Sequence, residues 1–89
     1  MTLYMVIEHL KDPLAVYRRL RDEGRSLPDG LRYVASWVTA DLRQCFQVME
    51  CEDPRLLEEW TSGWSDLVEF EILPVVTSAE AADAVLARG

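Results

Sequence analysis

Hydrophobic positions along this chain follow two different periods, and the changes of period divide the sequence into strands and helices. Residues Leu3 to His9 are apolar at odd and even positions until their end, which is typical of a central strand covered on both faces. Arg43 to Cys51 also has a strand pattern. Each strand runs into Asp-Pro, a short helix with an apolar stripe, and a glycine. This repeated plan predicts two βαβ-type halves.

The two helices have clear boundary signals. Asp12 is placed to cap the first helix, Pro13 suits its first turn, and Gly24 ends it. The second helix follows Asp53-Pro54 and ends at Gly63. The stripes expected to pack on the sheet are Leu14, Tyr17 and Leu20 in the first helix and Leu56, Leu57 and Trp60 in the second, with Trp64 just beyond it.

Three further elements complete the chain. Leu31 to Val38 is predicted to form a hairpin with the Arg43 to Cys51 strand. Asp66 to Val76 is predicted as a fourth strand, in which Pro74 indicates a sheet edge. The segment Thr77 to Glu80 has the pattern of a capping box for a terminal helix that reaches about Arg88.

The resulting order β-α-β-β-α-β-α predicts an α+β fold. Short right-handed connections resolve it into a ferredoxin-like antiparallel sheet with strand order 4-1-3-2, helices on one face, and a single domain spanning residues 1–89. The other face would expose apolar side chains of the first strand. We therefore expect sheet-on-sheet packing of two protomers into a C2 homodimer.

Composition narrows the classes of partner. Sixteen acidic and nine basic residues give a net charge of -7, which disfavours binding to nucleic acid and to anionic membranes. The beginning of the chain lacks a signal-peptide pattern, and no apolar run approaches the roughly 20 residues that span a bilayer, so a cytoplasmic location is expected. Cys45 and Cys51 should lie on one face of a strand about 20 Å apart, too far for a disulfide.

One resemblance covers nearly the whole chain, through the stretches YMVIEH, YRRLRDEGRSLPDGLRYVASWV, RQCFQVME and DPRLLEEWTSGWSDLVEFEILPVVTSAEAA. These stretches resemble a family of short bacterial proteins of unknown function assigned to the dimeric α/β-barrel superfamily. The resemblance implies a homodimer with a ligand held between sheet and helices. Members of that superfamily include cofactor-independent monooxygenases, isomerases, haem-dependent proteins and ligand-sensing domains, so it implies a location for the site and no particular chemistry.

The topology predicts a candidate site at one edge of the sheet. The end of the first strand and the end of the second helix meet there, and His9 is the natural general base because its ordinary pKa is near neutrality. A strand-end histidine bonded to a neighbour is the structural alternative. The residues expected at this edge are His9, Trp37, Arg43, Trp60, Trp64 and Asp66.

Substrate contacts are expected from aromatic and amide side chains. Trp37, Trp60, Trp64 and Tyr17 offer flat surfaces for a hydrophobic or aromatic compound. Trp60 lies on the helix stripe, where a core position is the default. Gln47 either lines a ligand cavity or faces the dimer seam. No cofactor or metal site is expected, because the chain has one histidine, no CxxC and no glycine-rich phosphate loop.

Two functions from different classes follow from these observations. The first is a homodimeric small-molecule-binding protein, with monooxygenation, isomerisation or cyclisation of a hydrophobic compound without a cofactor as the candidate reactions. The second is a non-catalytic ligand-sensing or assembly module, favoured by the lack of a second catalytic group beside His9. A cavity of about 300 Å³ or more near Trp60 and Trp64 would favour binding or catalysis, and a filled, dry core around them would favour the module.

Overall fold

Four strands and three helices account for most of the chain, and the computed structural model describes all 89 residues. The strands are β1 (Thr2–Leu10), β2 (Arg32–Val38), β3 (Gln44–Cys51) and β4 (Val68–Val75). The helices are α1 (Pro13–Glu23), α2 (Arg55–Ser62) and α3 (Ser78–Arg88). The predicted order β-α-β-β-α-β-α is confirmed.

All neighbouring strands pair antiparallel, and the sheet order is β2-β3-β1-β4. This is the predicted 4-1-3-2 order, so β1 and β3 are central and β4, which contains Pro74, is an edge strand as expected. The topology matches the ferredoxin-like fold. Both α1 and α2 contribute buried side chains to one core cluster with the sheet, so they cover the same face.

The predicted ends of α1 are confirmed. The Asp12 carboxylate accepts a hydrogen bond from the Ala15 backbone N–H at 3.2 Å, and Gly24 follows the helix with a φ of 69°, which glycine adopts without steric cost. Of the predicted apolar stripe, Leu20 packs against the core but Leu14 and Tyr17 do not. Leu14 is 60% exposed, and Val16 is buried instead. The helix carries two overlapping apolar lines, and only its docking on the sheet selects the one that contains Val16 and Leu20.

The core lies between the sheet and the helices α1 and α2. Leu57 and Trp60 of α2 enter it, and Trp64, two residues after the helix, is also buried. The core cluster comprises Val6, Val16, Leu31, Met49, Cys51, Leu57, Trp60, Trp64 and Val68. Strand β4 begins at Val68, later than predicted, because the backbone N–H groups of Leu67 and Val68 both bond back to the carbonyl oxygen of Trp64 in a turn.

Helix α3 is capped as predicted but buries none of its side chains. The Thr77 hydroxyl accepts a hydrogen bond from the Glu80 backbone N–H at 3.1 Å. Val85 and Leu86 remain 64% and 76% exposed. The radius of gyration is 14.6 Å, larger than the ~12 Å of a compact chain of this length, so α3 extends from the domain. No helix of the protein combines the length and apolar character required to cross a membrane.

The second face of the sheet carries no helix. We call it the open face. Its side chains alternate with those that face the helices, and strand register places them side by side. The open face is apolar at its centre, where it consists of Leu3, Met5, Ile7, Ala35, Trp37, Phe46, Val48, Leu73 and Val75.

Candidate functional site

A buried carboxyl group lies on the helix-covered face, near the end of the central strand β1. Glu8 of β1 is directly opposite Cys45 of β3 and Phe70 of β4 in the strand register. It is only 8% exposed, and its side chain makes no hydrogen bond with the protein, the Oε2 atom being fully buried. A buried polar group without a partner costs folding free energy, of the order of 1–3 kcal/mol, and such groups are rare outside functional sites.

The Glu8 carboxyl borders a small, partly open cavity of about 50 Å³ between the sheet and the helices. Five of the eight lining residues are apolar, and they form a wall around the polar groups. The lining residues are Glu8, Val16, Leu20, Arg25, Gln47, Trp60, Trp64 and Phe70. We call this space the Glu8 cavity.

The environment of Glu8 makes its proton affinity unusual. Burial disfavours the charged carboxylate and raises the pKa of Glu8 from its ordinary 4.5 to about 7, although the positive charge of Arg25 opposes part of that rise. At neutral pH the group therefore populates both the acid and the carboxylate. A carboxyl poised in this way donates and accepts protons with comparable ease.

Arg25 forms the outer wall of the cavity and is held by its backbone. Its carbonyl oxygen accepts hydrogen bonds from the indole N–H groups of Trp60, at 3.0 Å, and Trp64, at 3.3 Å. The guanidinium donates no hydrogen bond, and its central carbon lies 3.8 Å from the ring centre of Tyr33. The main chain is thus fixed while the charged side chain is held only by stacking, which leaves its donors available to a ligand.

Three of the residues predicted to contact substrate do come together here. Gln47, Trp60 and Trp64 all line the Glu8 cavity. Of the two positions predicted for Gln47, the structure shows the cavity wall. Its amide Nε2 donates to the sulfur of Met49 at 3.1 Å.

His9 and Trp37 lie on the opposite side of the sheet. His9 follows Glu8 in the chain, so its side chain points to the open face, where Nε2 is 3.1 Å from a Glu71 carboxylate oxygen and Nδ1 is 3.4 Å from the Gln44 amide nitrogen. Trp37 is 61% exposed on the same face. The predicted gathering of His9 with Trp60 and Trp64 at one edge is therefore wrong, because the sheet itself separates them.

Tyr17 lies at the margin of the site. It is 43% exposed and does not line the Glu8 cavity. Its pKa is raised chiefly by burial and further by the nearby Cys45 and Glu8, which shows that the phenol approaches the same region from α1. Its role in substrate binding stays a prediction.

A larger cleft of about 590 Å³ opens to solvent beside the end of α2. Trp60 and Trp64 line it as well as the Glu8 cavity. Two of its charged groups pair with each other: Arg19 donates to both carboxylate oxygens of Asp66, at 2.9 and 2.7 Å, and holds the pKa of Asp66 below its usual range. We favour the Glu8 cavity as the site because it contains a buried carboxyl group without a hydrogen-bond partner.

The two cysteines are free thiols, as predicted. Burial, with a smaller contribution from Glu8, raises the pKa of Cys45 to about 11. Burial also raises the pKa of Cys51. Both groups are therefore protonated and poorly nucleophilic at neutral pH.

Five of the residues that line the cavity were not predicted for the site: Glu8, Val16, Leu20, Arg25 and Phe70. Leu3 to Ile7 is apolar at both parities, so the strand pattern alone does not show that Glu8 faces the helices. The burial of alternate residues in β3 indicates which face Glu8 occupies. Cys45 is one of the buried residues of β3, and Glu8 lies opposite it, so Glu8 faces the helices as well. Arg25 belongs to the loop after α1, whose path only the tertiary structure defines.

The fold and the cavity together define the class: a ferredoxin-like α+β domain with a buried, unpartnered carboxyl between its sheet and its helices. The chain belongs to a family described as Domain of unknown function (DUF3303), whose model matches residues 2–89. Comparison with curated proteins found no match, and comparison with solved structures found none.

Proposed function

We propose that this domain binds a small organic molecule at the Glu8 cavity and moves a proton on it. The observation that carries the proposal is the carboxyl of Glu8, buried and without a hydrogen-bond partner, facing a cavity with aromatic walls. Ligand sites are typically apolar with a few polar groups that orient the ligand. A ligand that offers a donor to Glu8 would remove the cost of leaving that carboxyl unpaired.

Binding requires the cavity to open. A volume of about 50 Å³ holds a water molecule or two, whereas ordinary ligands occupy several hundred Å³. Arg25 is the element suited to move, because its guanidinium is stacked on Tyr33 and donates no hydrogen bond. Its displacement would widen the cavity without disturbing the carbonyl held by the two indoles.

Glu8 favours isomerisation or cyclisation over monooxygenation among the reactions expected for this chain. Both need only a group that takes up and returns a proton, which a carboxyl with a pKa of about 7 does well near neutral pH. Trp60, Trp64 and Phe70 suit a hydrophobic or aromatic body. If the bound molecule is not transformed, the same site serves the ligand-sensing alternative.

A fragment screen observed by protein NMR tests the binding proposal. A set of small neutral aromatic and carbonyl compounds should shift the backbone amide signals of Gln47 and Phe70 in the wild-type domain. Glu8→Gln should weaken binding, whereas Glu58→Gln, the same change of charge at an exposed position of α2, should not. Absence of any fragment that shifts these signals at millimolar concentration would overturn the proposal.

We further propose that the domain is a homodimer formed through the open face. That face exposes a continuous apolar surface, on which Trp37 is 61% and Leu73 52% exposed. Contiguous apolar surfaces of this kind mark interaction sites, and two sheets packed face to face bury one another. A C2 arrangement uses the same face of both protomers, so a second copy is a self-complementary occupant.

The mass of the particle in solution tests the dimer. Sedimentation equilibrium should give twice the chain mass of 10.2 kDa for the wild type. Phe46→Glu, on the open face, should give monomers, while Leu14→Glu, on the exposed side of α1, should leave the dimer intact. A wild-type chain that is folded and monomeric at all concentrations would refute sheet pairing.

A further inference from the structure

The Glu8 cavity is lined by one acidic and one basic side chain that form no hydrogen bond with the protein. The Glu8 side chain makes no hydrogen bond with the protein, and the Arg25 guanidinium donates none. Both line the Glu8 cavity, and they are not ion-paired with each other. One accepts a proton and the other stabilises a negative charge, so together they suit a reaction in which a proton leaves carbon while charge develops on a nearby oxygen.

Building on the proposed function, we propose that the substrate is a carbonyl compound with an acidic C–H next to its carbonyl group, that Glu8 transfers this proton, and that Arg25 binds the carbonyl oxygen. The apolar wall strengthens both interactions, because charge is less screened there than in water. Trp60 and Phe70, whose tilted rings pack against each other with centres 5.9 Å apart, would form one aromatic wall against a flat unsaturated body.

The step balances without a further reactant. The Glu8 carboxylate takes the proton from the carbon next to the carbonyl, the C–H electron pair becomes a carbon–carbon double bond, and the carbonyl π pair moves to oxygen. The resulting enolate oxygen accepts hydrogen bonds from Arg25. Protonated Glu8 then returns the proton to the same carbon or, in an unsaturated ketone, to the far end of the conjugated system. The product is an isomer, and no electrons are gained or lost.

Other groups near the cavity are unsuited to this role. Cys45 lies opposite Glu8, but its pKa of about 11 keeps it a thiol at neutral pH. His9 lies across the sheet and bonds to Glu71. Glu8 is therefore the base that this cavity provides.

The experiment uses cyclohex-3-enone as the probe. Wild-type protein should accelerate its conversion to cyclohex-2-enone, followed by the absorbance of the conjugated product, and in deuterium oxide should accelerate exchange of its protons next to the carbonyl. The rate should rise with pH through about 7 as Glu8 loses its proton. Glu8→Gln should lower the rate by roughly 100-fold or more and abolish that pH profile.

Two further variants separate the roles. Arg25→Gln should lower the rate by roughly 100-fold, as loss of an oxyanion donor does, with less effect on the binding of neutral fragments. Glu58→Gln should behave as the wild type. If fragments bind at Gln47 and Phe70 but the ketone is neither isomerised nor exchanged faster than in the buffer, the substrate class is wrong while the binding proposal stands. If no fragment binds, the proposed function itself fails.

Discussion

Trp60 and Trp64 donate their indole N–H groups to one acceptor, the backbone carbonyl oxygen of Arg25. They lie four residues apart, one within α2 and one just after it, and both rings are nearly fully buried. The shared acceptor joins the end of α2 to the loop after α1. It also holds the outer wall of the Glu8 cavity in place.

Loss of these two donors should be coupled. Trp60→Phe and Trp64→Phe each leave the Arg25 carbonyl with one partner, and each should cost about 1–3 kcal/mol through lost packing and a lost hydrogen bond. The double variant leaves that carbonyl with neither donor, so its cost should exceed the sum of the single costs. Urea denaturation of the four proteins measures this coupling, and strictly additive costs would contradict the shared role.

The buried Glu8 should make stability fall between about pH 4.5 and 7. As the pH rises above 4.5 the unfolded chain releases the Glu8 proton first, while the native protein retains it up to about 7, so the native state binds more protons and the free energy of unfolding declines. One pKa unit corresponds to about 1.4 kcal/mol, so the rise from 4.5 to about 7 limits the total decline to about 3–4 kcal/mol. Glu8→Gln should remove this decline.

Chemical denaturation at several pH values compares the two proteins. Their free energies of unfolding should converge near pH 4.5 and differ most above pH 7, where Glu8→Gln is the more stable. Asp53 and Asp66 have lowered pKa values, so their effect appears only below about pH 4. Parallel curves for wild type and Glu8→Gln from pH 4.5 to 8 would contradict a raised pKa at Glu8.

Cys45 should react slowly with thiol reagents in the native protein. With a pKa of about 11 against an ordinary 9.0, its thiolate fraction at pH 8 is lowered roughly 100-fold, and burial restricts access further. Iodoacetamide labelling followed by mass spectrometry measures the rate, with the guanidinium-unfolded chain as the reference. Equal labelling of native and unfolded Cys45 would show that the thiol is neither buried nor shifted.

Helix α3 should contribute little to the stability of an isolated domain. None of its residues is buried, so a chain that ends at Val76 should unfold at nearly the same urea concentration as the full chain when both are dilute. Circular dichroism records the transition. A large loss of stability that grows with protein concentration would instead indicate that α3 packs against a second copy.

Much of the fold was predictable because its signals are local. Asp12 and Gly24 mark the ends of α1, Thr77 caps α3, and the strand patterns with short connections leave one favourable sheet order. The site was less predictable. Trp60 and Trp64 were expected together and do line one cavity. The grouping with His9 failed because strand ends were assigned to one edge without regard to which face each side chain occupies.

The sequence by itself determined the elements, their order and the antiparallel sheet, since capping residues and hydrophobic period act over a few neighbouring positions. Only the tertiary structure decided which face of β1 the helices cover. Odd and even residues from Leu3 to Ile7 are both apolar, so either face of β1 could be covered. The covered face is set by the docking of α1 and α2 through Val16, Leu57 and Trp60. That docking buries Glu8 beside Arg25 and leaves His9 on the open face, because adjacent strand residues point to opposite sides.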